Sequence, residues 1–207
     1  FDPYGWSQVY GPGQRDPDLE DPHRGWRWSR RALSPGQPGP PCPEACGSQV
    51  VDQEDPAVRW GCAGVAADCG PWEALPGGWL GGHRAAAVIA GSVGRWVRFS
   101  CAACPPGTWL VEAHVPAGAH SASTHAARYQ VGGRLTVLDQ HAEGDRWQPL
   151  GLFDYRTSPW VQLTDRGDLQ DYLPPPGKRV AADAVRFTRI CGSIPPGTPV
   201  IDGPRDA

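Results

Sequence analysis

From Arg95 onward the chain alternates apolar and polar positions with a period of two. Val97 and Phe99 fall on one face of the segment from Arg95 to Ser100, with Trp96 and Arg98 on the other. Beyond a turn at Cys104-Pro105-Pro106-Gly107, Trp109, Val111, Ala113 and Val115 share a face opposed by Leu110, Glu112 and His114. The same parity groups Tyr129 with Val131, and Leu135 with Val137 and Asp139. It also groups Leu150 with Leu152, Val161 with Leu163, and Ala181 with Asp183, Val185 and Phe187. Successive strand side chains point to opposite faces, so each run predicts a strand with one buried face. Turn residues punctuate the runs, and no window sustains a 3.6-residue period over a helical length. The pattern predicts an all-β fold, an antiparallel β-sandwich of jelly-roll-like kind.

Residues 1–58 show neither period. Gly11-Pro12-Gly13 and the tract from Ser34 to Pro41 have linker chemistry, because proline fixes φ and removes donors while glycine adds chain entropy. Trp6, Tyr10, Trp26 and Trp28 are nevertheless out of place in a solvating linker. The reading is an extended, aromatic-bearing N-terminal arm over 1–58 that packs on its own sandwich or on a partner protein. The sandwich occupies 59–191, and 192–207 is a Pro- and Gly-containing tail or the start of a further unit.

Composition sharpens this. The 27 Gly and 24 Pro among 207 residues require long loops, and 10 Trp exceed what a core of this size needs, so some rings are expected on the surface. A net charge of -3 with scattered arginines gives no footprint for nucleic acid. No stretch approaches a membrane span. The chain opens at Phe1 without a signal-peptide core, which reads as a processed form or an excised fragment. Seven cysteines favour an oxidising, extracellular setting and leave one thiol over. Disulfide candidates are Cys42 with Cys46, Cys62 with Cys69, and Cys101 with Cys104. Zinc held by Cys42, Cys46, Cys101 and Cys104 is the alternative.

Four phrases occur in a telling order: Gly107-Thr108-Trp109-Leu110-Val111, Leu138-Asp139-Gln140, Trp147-Gln148-Pro149-Leu150-Gly151 and Ala182-Asp183-Ala184-Val185-Arg186-Phe187. Over roughly residues 70 to 190 this order resembles the carbohydrate-binding-like C-terminal domain named for golvesin and xanthan lyase. The resemblance implies a β-sandwich accessory module of secreted, multidomain bacterial proteins, with carbohydrate as the supposed ligand and no catalytic residues. The N-terminal arm and the cysteines depart from that pattern.

Sugars present apolar C–H faces, so exposed rings with polar neighbours are the candidate binding groups. Trp160, with outward parity, and Tyr172 in the adjacent loop make one such pair, and Trp79 with His83 in a Gly-rich turn makes another. Asp183 and Asp139 lie by parity on apolar faces, where a carboxylate needs a hydrogen-bonding partner or a cation. Loop-pinning hydrogen bonds and a structural calcium are the two readings; no other cofactor is expected. Asp165, Asp168 and Asp171 read as a solvated acidic turn. Nucleophile-elbow, zinc-protease, phosphate-loop and dinucleotide signatures are absent from the sequence. The leading reading is a secreted, noncatalytic module that binds polysaccharide or cell-envelope glycan. A structural module docking on neighbouring subunits of an extracellular complex or toxin is the alternative, and a hydrolase the second alternative.

Overall fold

The computed structural model describes residues 45–63, 69–89, 94–116, 123–141, 144–167, 177–194 and 197–202, with the backbone of Trp6–Gln8 and Trp28–Arg30. The chain divides into two compact units, residues 1–44 with 191–198 and residues 45–190 with 199–207. In the first, β1 (Trp6–Gln8) pairs antiparallel with β2 (Trp28–Arg30), so the arm contains a paired strand rather than extended chain alone. The expected anchoring of the Trp6, Trp26 and Trp28 rings lies outside the described residues.

The second unit is an antiparallel β-sandwich. One five-stranded sheet has the order β10-β9-β12-β7-β4, from β4 (Arg59–Cys62), β7 (Arg95–Ser100), β9 (Ala127–Val131), β10 (Arg134–Leu138) and β12 (Trp160–Thr164). The other has the order β15-β11-β8-β14-β3. Its strands are β3 (Ala45–Asp52), β8 (Gly107–Val115), β11 (Arg146–Tyr155), β14 (Ala184–Ile190) and β15 (Val200–Asp202). A third sheet, β13-β6-β5, contains β5 (Glu73–Pro76), β6 (Gly82–Ala87) and β13 (Arg179–Ala182). Among the described strands all pairs are antiparallel except β11 with β15. The edge strand β3 lies in the stretch read from sequence as the end of the arm, and β15 in the stretch read as a tail or the start of a further unit.

The inner faces form one core. Val97, Phe99, Tyr129, Val131, Val161 and Leu163 from the first sheet meet Trp109, Val111, Phe153, Tyr155, Val185 and Phe187 from the second. The third sheet adds Ala86, Val180 and Ala182. Strand parity for β7, β8, β9 and β12 is as the alternation predicted.

Two parities differ, each for a local reason. Gly132 and Gly133 both have positive φ, at 58° and 80°, the dihedral signs of a two-residue hairpin turn. That turn sets Val131 opposite Arg134 and therefore Leu135 opposite Gln130, on the outer face. Leu135 and Val137 are 54% and 45% exposed rather than buried with Tyr129. In β11 an irregularity between Pro149 and Gly151 shifts the phase. Leu152 consequently pairs with Leu110, while Phe153 pairs with Trp109 in the core.

Disulfides join Cys62 to Cys69 and Cys101 to Cys104. Cys46 and Cys191 are disulfide-bonded as well. Cys42, and with it the expected Cys42–Cys46 bridge, lies outside the described residues. These bonds consume the thiols a zinc site would need. They fit an oxidising compartment.

Candidate functional site

The outer face of the β10-β9-β12-β7-β4 sheet carries two cross-strand rows. Register places Arg98, Gln162, Gln130 and Leu135 side by side in one row. The next holds Gly61, Trp96, Thr164, Arg128 and Val137. Neighbouring strands lie about 4.8 Å apart, so the five-strand row spans roughly 19 Å.

Trp96 packs over Gly61: a Cβ at that glycine would come within 2.2 Å of the indole ring. Only glycine leaves room for the ring on the sheet surface. The Arg98 guanidinium sits 4.3 Å from the Trp160 ring centroid and 5.8 Å from that of Trp96, linking the two indoles in a cation–π ladder. Arg98 Nε and one terminal nitrogen donate to Gln162 Oε1 at 3.2 and 2.9 Å. This hydrogen bond fixes the amide so that its NH2 donors point away from the ladder. The Tyr155 hydroxyl donates to the Trp160 carbonyl at 3.3 Å, tying the platform to the core beneath it.

Beside the ladder runs an open cleft of about 370 Å³ whose lining includes Trp96, Arg128, Gln130, Leu135, Gln162 and Arg166. Arg128 Nε is buried without a hydrogen-bond partner. The arrangement combines indole faces, an apolar lip at Leu135 and convergent amide, hydroxyl and guanidinium groups. Such a surface can stack a flat, C–H-rich face and hydrogen-bond substituents at its rim.

The floor of this face is held by a buried ion pair. Arg95 Nε meets Asp165 Oδ2 at 2.7 Å, and Asp165 Oδ1 accepts from the Arg95 backbone N–H at 2.8 Å. The other guanidinium donors reach the carbonyls of Gly70, Pro71 and Ala87. Asp165 is wholly buried, which corrects the expectation of a solvated turn there.

A second aromatic cluster forms where the β5–β6 turn folds against β8 and β11. Trp79, His114 and Trp147 lie with ring centroids 4.9 to 5.7 Å apart, each pair edge-on. Asp183 occupies the break between β13 and β14, where strict alternation ends, and its Oδ2 accepts from His114 Nδ1 at 2.7 Å. Both Asp183 oxygens also face the Trp79 backbone N–H, at 3.2 and 3.1 Å. Gly78 has φ +111°, and a Cβ there would come 2.6 Å from the Gly82 carbonyl and 2.8 Å from Asp183. Glycine is therefore required for the turn to close on that carboxylate. His83 is buried and its Nδ1 donates to the Gly77 carbonyl at 3.1 Å, so it braces the turn rather than facing solvent. Trp79, 42% exposed, and Leu80, 73% exposed, project from the tip.

Sequence reasoning singled out Trp160 and Trp79, and the structure puts them on two different surfaces. Tyr172 lies outside the described residues. Asp183 is committed to donors, and Asp139 accepts from His125 Nδ1 at 3.3 Å and from the His141 backbone N–H at 2.9 Å. Calcium takes six to eight oxygen ligands, whereas the partners shown for these two carboxylates are imidazole and backbone N–H donors. Among the described residues no group of three or more His, Cys, Asp or Glu could hold a metal ion. Sequence reasoning missed Arg128, Gln130 and Gln162; their outward parity on strands with buried apolar neighbours was the available signal.

The structure resembles part of a xanthan lyase from Paenibacillus, with a TM-score of 0.53 and 18% identity. The likeness is one of fold. It covers 70% of this chain and 13% of the lyase, so the chain spans a small part of that protein's length. No protein-family model matches the sequence. No curated protein matches it either. The resemblance expected from the ordered phrases is thus present in the fold and absent from sequence-family evidence. No helix among the described residues is long and apolar enough to cross a membrane.

Proposed function

We propose that this chain is a noncatalytic, extracellular binding module for a polysaccharide, with the outer face of β10-β9-β12-β7-β4 as its binding platform. The observation that carries this reading is the Trp160–Arg98–Trp96 ladder beside a cleft whose amide, hydroxyl and guanidinium groups converge. Fold likeness to part of a polysaccharide-degrading lyase supports it, and the disulfides support secretion. His114 and Asp183 form the imidazole–carboxylate pair a hydrolase would use. Both are buried and hold the Trp79 turn, which favours binding over turnover. Affinity electrophoresis through gels containing a panel of polysaccharides tests the reading. The wild-type chain is expected to be retarded by at least one, with the product ends unchanged in number, and Trp160→Ala to run freely.

A second reading, docking on a protein subunit, is favoured by the tip of the β5–β6 turn. Asp183 and Gly78 fix that turn while Trp79 and Leu80 project from it. Under that reading Leu80→Asp abolishes complex formation and leaves polysaccharide retardation intact.

A further inference from the structure

Resting on the platform proposed above, we infer that its ligand is acidic, a carboxylate-bearing polysaccharide rather than a neutral one. The cleft is lined by Arg128 and Arg166, and no Asp or Glu is among the described residues that line it. Arg98 stands in the adjacent row, paired to a neutral amide rather than to a carboxylate. This concentration of positive charge is local, because the chain as a whole carries a net charge of -3. The carboxylate adjacent to Arg166 in sequence, Asp165, is wholly buried and engaged with Arg95.

The chemistry then discriminates between ligands. Hydroxyl groups of a neutral sugar would satisfy Gln130, Gln162 and Thr164, which supply neutral donors and acceptors. They would leave the guanidinium of Arg128 partly desolvated without a counter-charge, a costly outcome at a covered site. Its Nε is already buried without a partner, so this side chain has given up hydration before any ligand arrives. A carboxylate on the sugar ring offsets that loss, since guanidinium and carboxylate match in a planar, two-point pair. Meanwhile Trp96 and the exposed Leu135 take the apolar ring face. The cleft is open along the sheet, which suits an internal stretch of a long chain rather than a terminal sugar.

The test measures binding of the full chain to polygalacturonate and to its methyl-esterified form, which share a backbone and differ in whether the carboxyl group is charged or capped by a methyl group. The acid is expected to bind about tenfold tighter, the equivalent of ~1.4 kcal/mol. That margin should shrink as salt screens the pair. Arg128→Gln is expected to reduce binding of the acid to the level of the ester without changing the melting temperature. Arg128→Lys should restore part of the preference, because it keeps charge and loses the planar fork. Equal affinity for acid and ester would overturn the inference and leave the platform standing. Binding to neither, nor to any other polysaccharide in the panel, would overturn both. Tighter binding of a single-stranded oligonucleotide than of the acid would assign the face to nucleic acid and also overturn the inference.

Discussion

Replacing Asp165 by Asn should strongly destabilise the support beneath the platform. The carboxylate is wholly buried and receives two donors from one residue, the backbone N–H and Nε of Arg95. Asn keeps the shape but presents an NH2 toward one of those donors, and it removes the counter-charge that pairs with the buried guanidinium. Breaking a buried pair by altering one partner costs about 3–5 kcal/mol, a large share of the ~5–15 kcal/mol that holds a domain together. The three carbonyls that also accept from Arg95 hold the guanidinium in place and prevent it from escaping to water. At ~2–4 °C per kcal/mol for a chain of this size, the melting temperature should fall by roughly 6–20 °C. Urea titration should show a lower midpoint with an unchanged slope. The double variant Arg95→Met with Asp165→Leu should recover part of the loss, because it removes the uncompensated charge while leaving the Arg95 N–H and the three carbonyls without their partners. A single variant within about 1 kcal/mol of wild type, or a double variant no better than the single, would refute the reasoning.

Other outcomes follow from the same geometry. Gly78→Ala meets both a positive φ and the Gly82 carbonyl, so it should cost about 1–3 kcal/mol and raise the accessibility of Trp79 to a fluorescence quencher. Asp52 has one buried oxygen without a partner, and burial raises its pKa above the usual 3.8 against the lowering effect of the Glu54 N–H. The folded state therefore binds the proton more tightly than the unfolded one, and stability falls as pH rises above about 4 through that window. Asp52→Asn should accordingly be more stable than wild type at neutral pH and lose this advantage in acid, as read by denaturant titration at both. Removing the Cys62–Cys69 bond, which closes a short loop, by the double variant Cys62→Ser with Cys69→Ser should cost about 2 kcal/mol, measured as a lower melting temperature.

Strand parity made the core legible wherever a strand is regular: Val97 and Phe99, the Trp109 series, Val161 and Leu163 are buried as their alternation implies. It failed where backbone geometry resets the phase. Two glycines with positive φ turn Leu135 and Val137 outward, and the irregularity in β11 separates Leu152 from Leu150. Alternation also cannot say that Arg179–Ala182 and Ala184–Ile190 belong to different sheets, with Asp183 at the corner. The candidate site was half visible. Outward parity pointed to Trp160, whereas the cross-strand rows that bring Trp96, Arg128, Gln130 and Gln162 beside it depend on register between segments distant in sequence. His83 was read as a ligand group because it neighbours Trp79; its burial under the turn follows from Gly77 and Gly78, whose conformations a sequence does not display.

The central claim is that polysaccharide lies along the Trp96–Arg98–Trp160 face, and indole N–H resonances report on it directly. In a nitrogen–proton correlation spectrum of the labelled chain, titration with an oligosaccharide of the retarding polysaccharide should move the Trp96 and Trp160 indole signals together. The buried Trp109 signal and that of Trp79 on the other surface should stay in place. Saturable shifts of Trp79 and Trp147 with Trp96 and Trp160 unmoved would contradict the account and transfer the binding site to the β5–β6 turn.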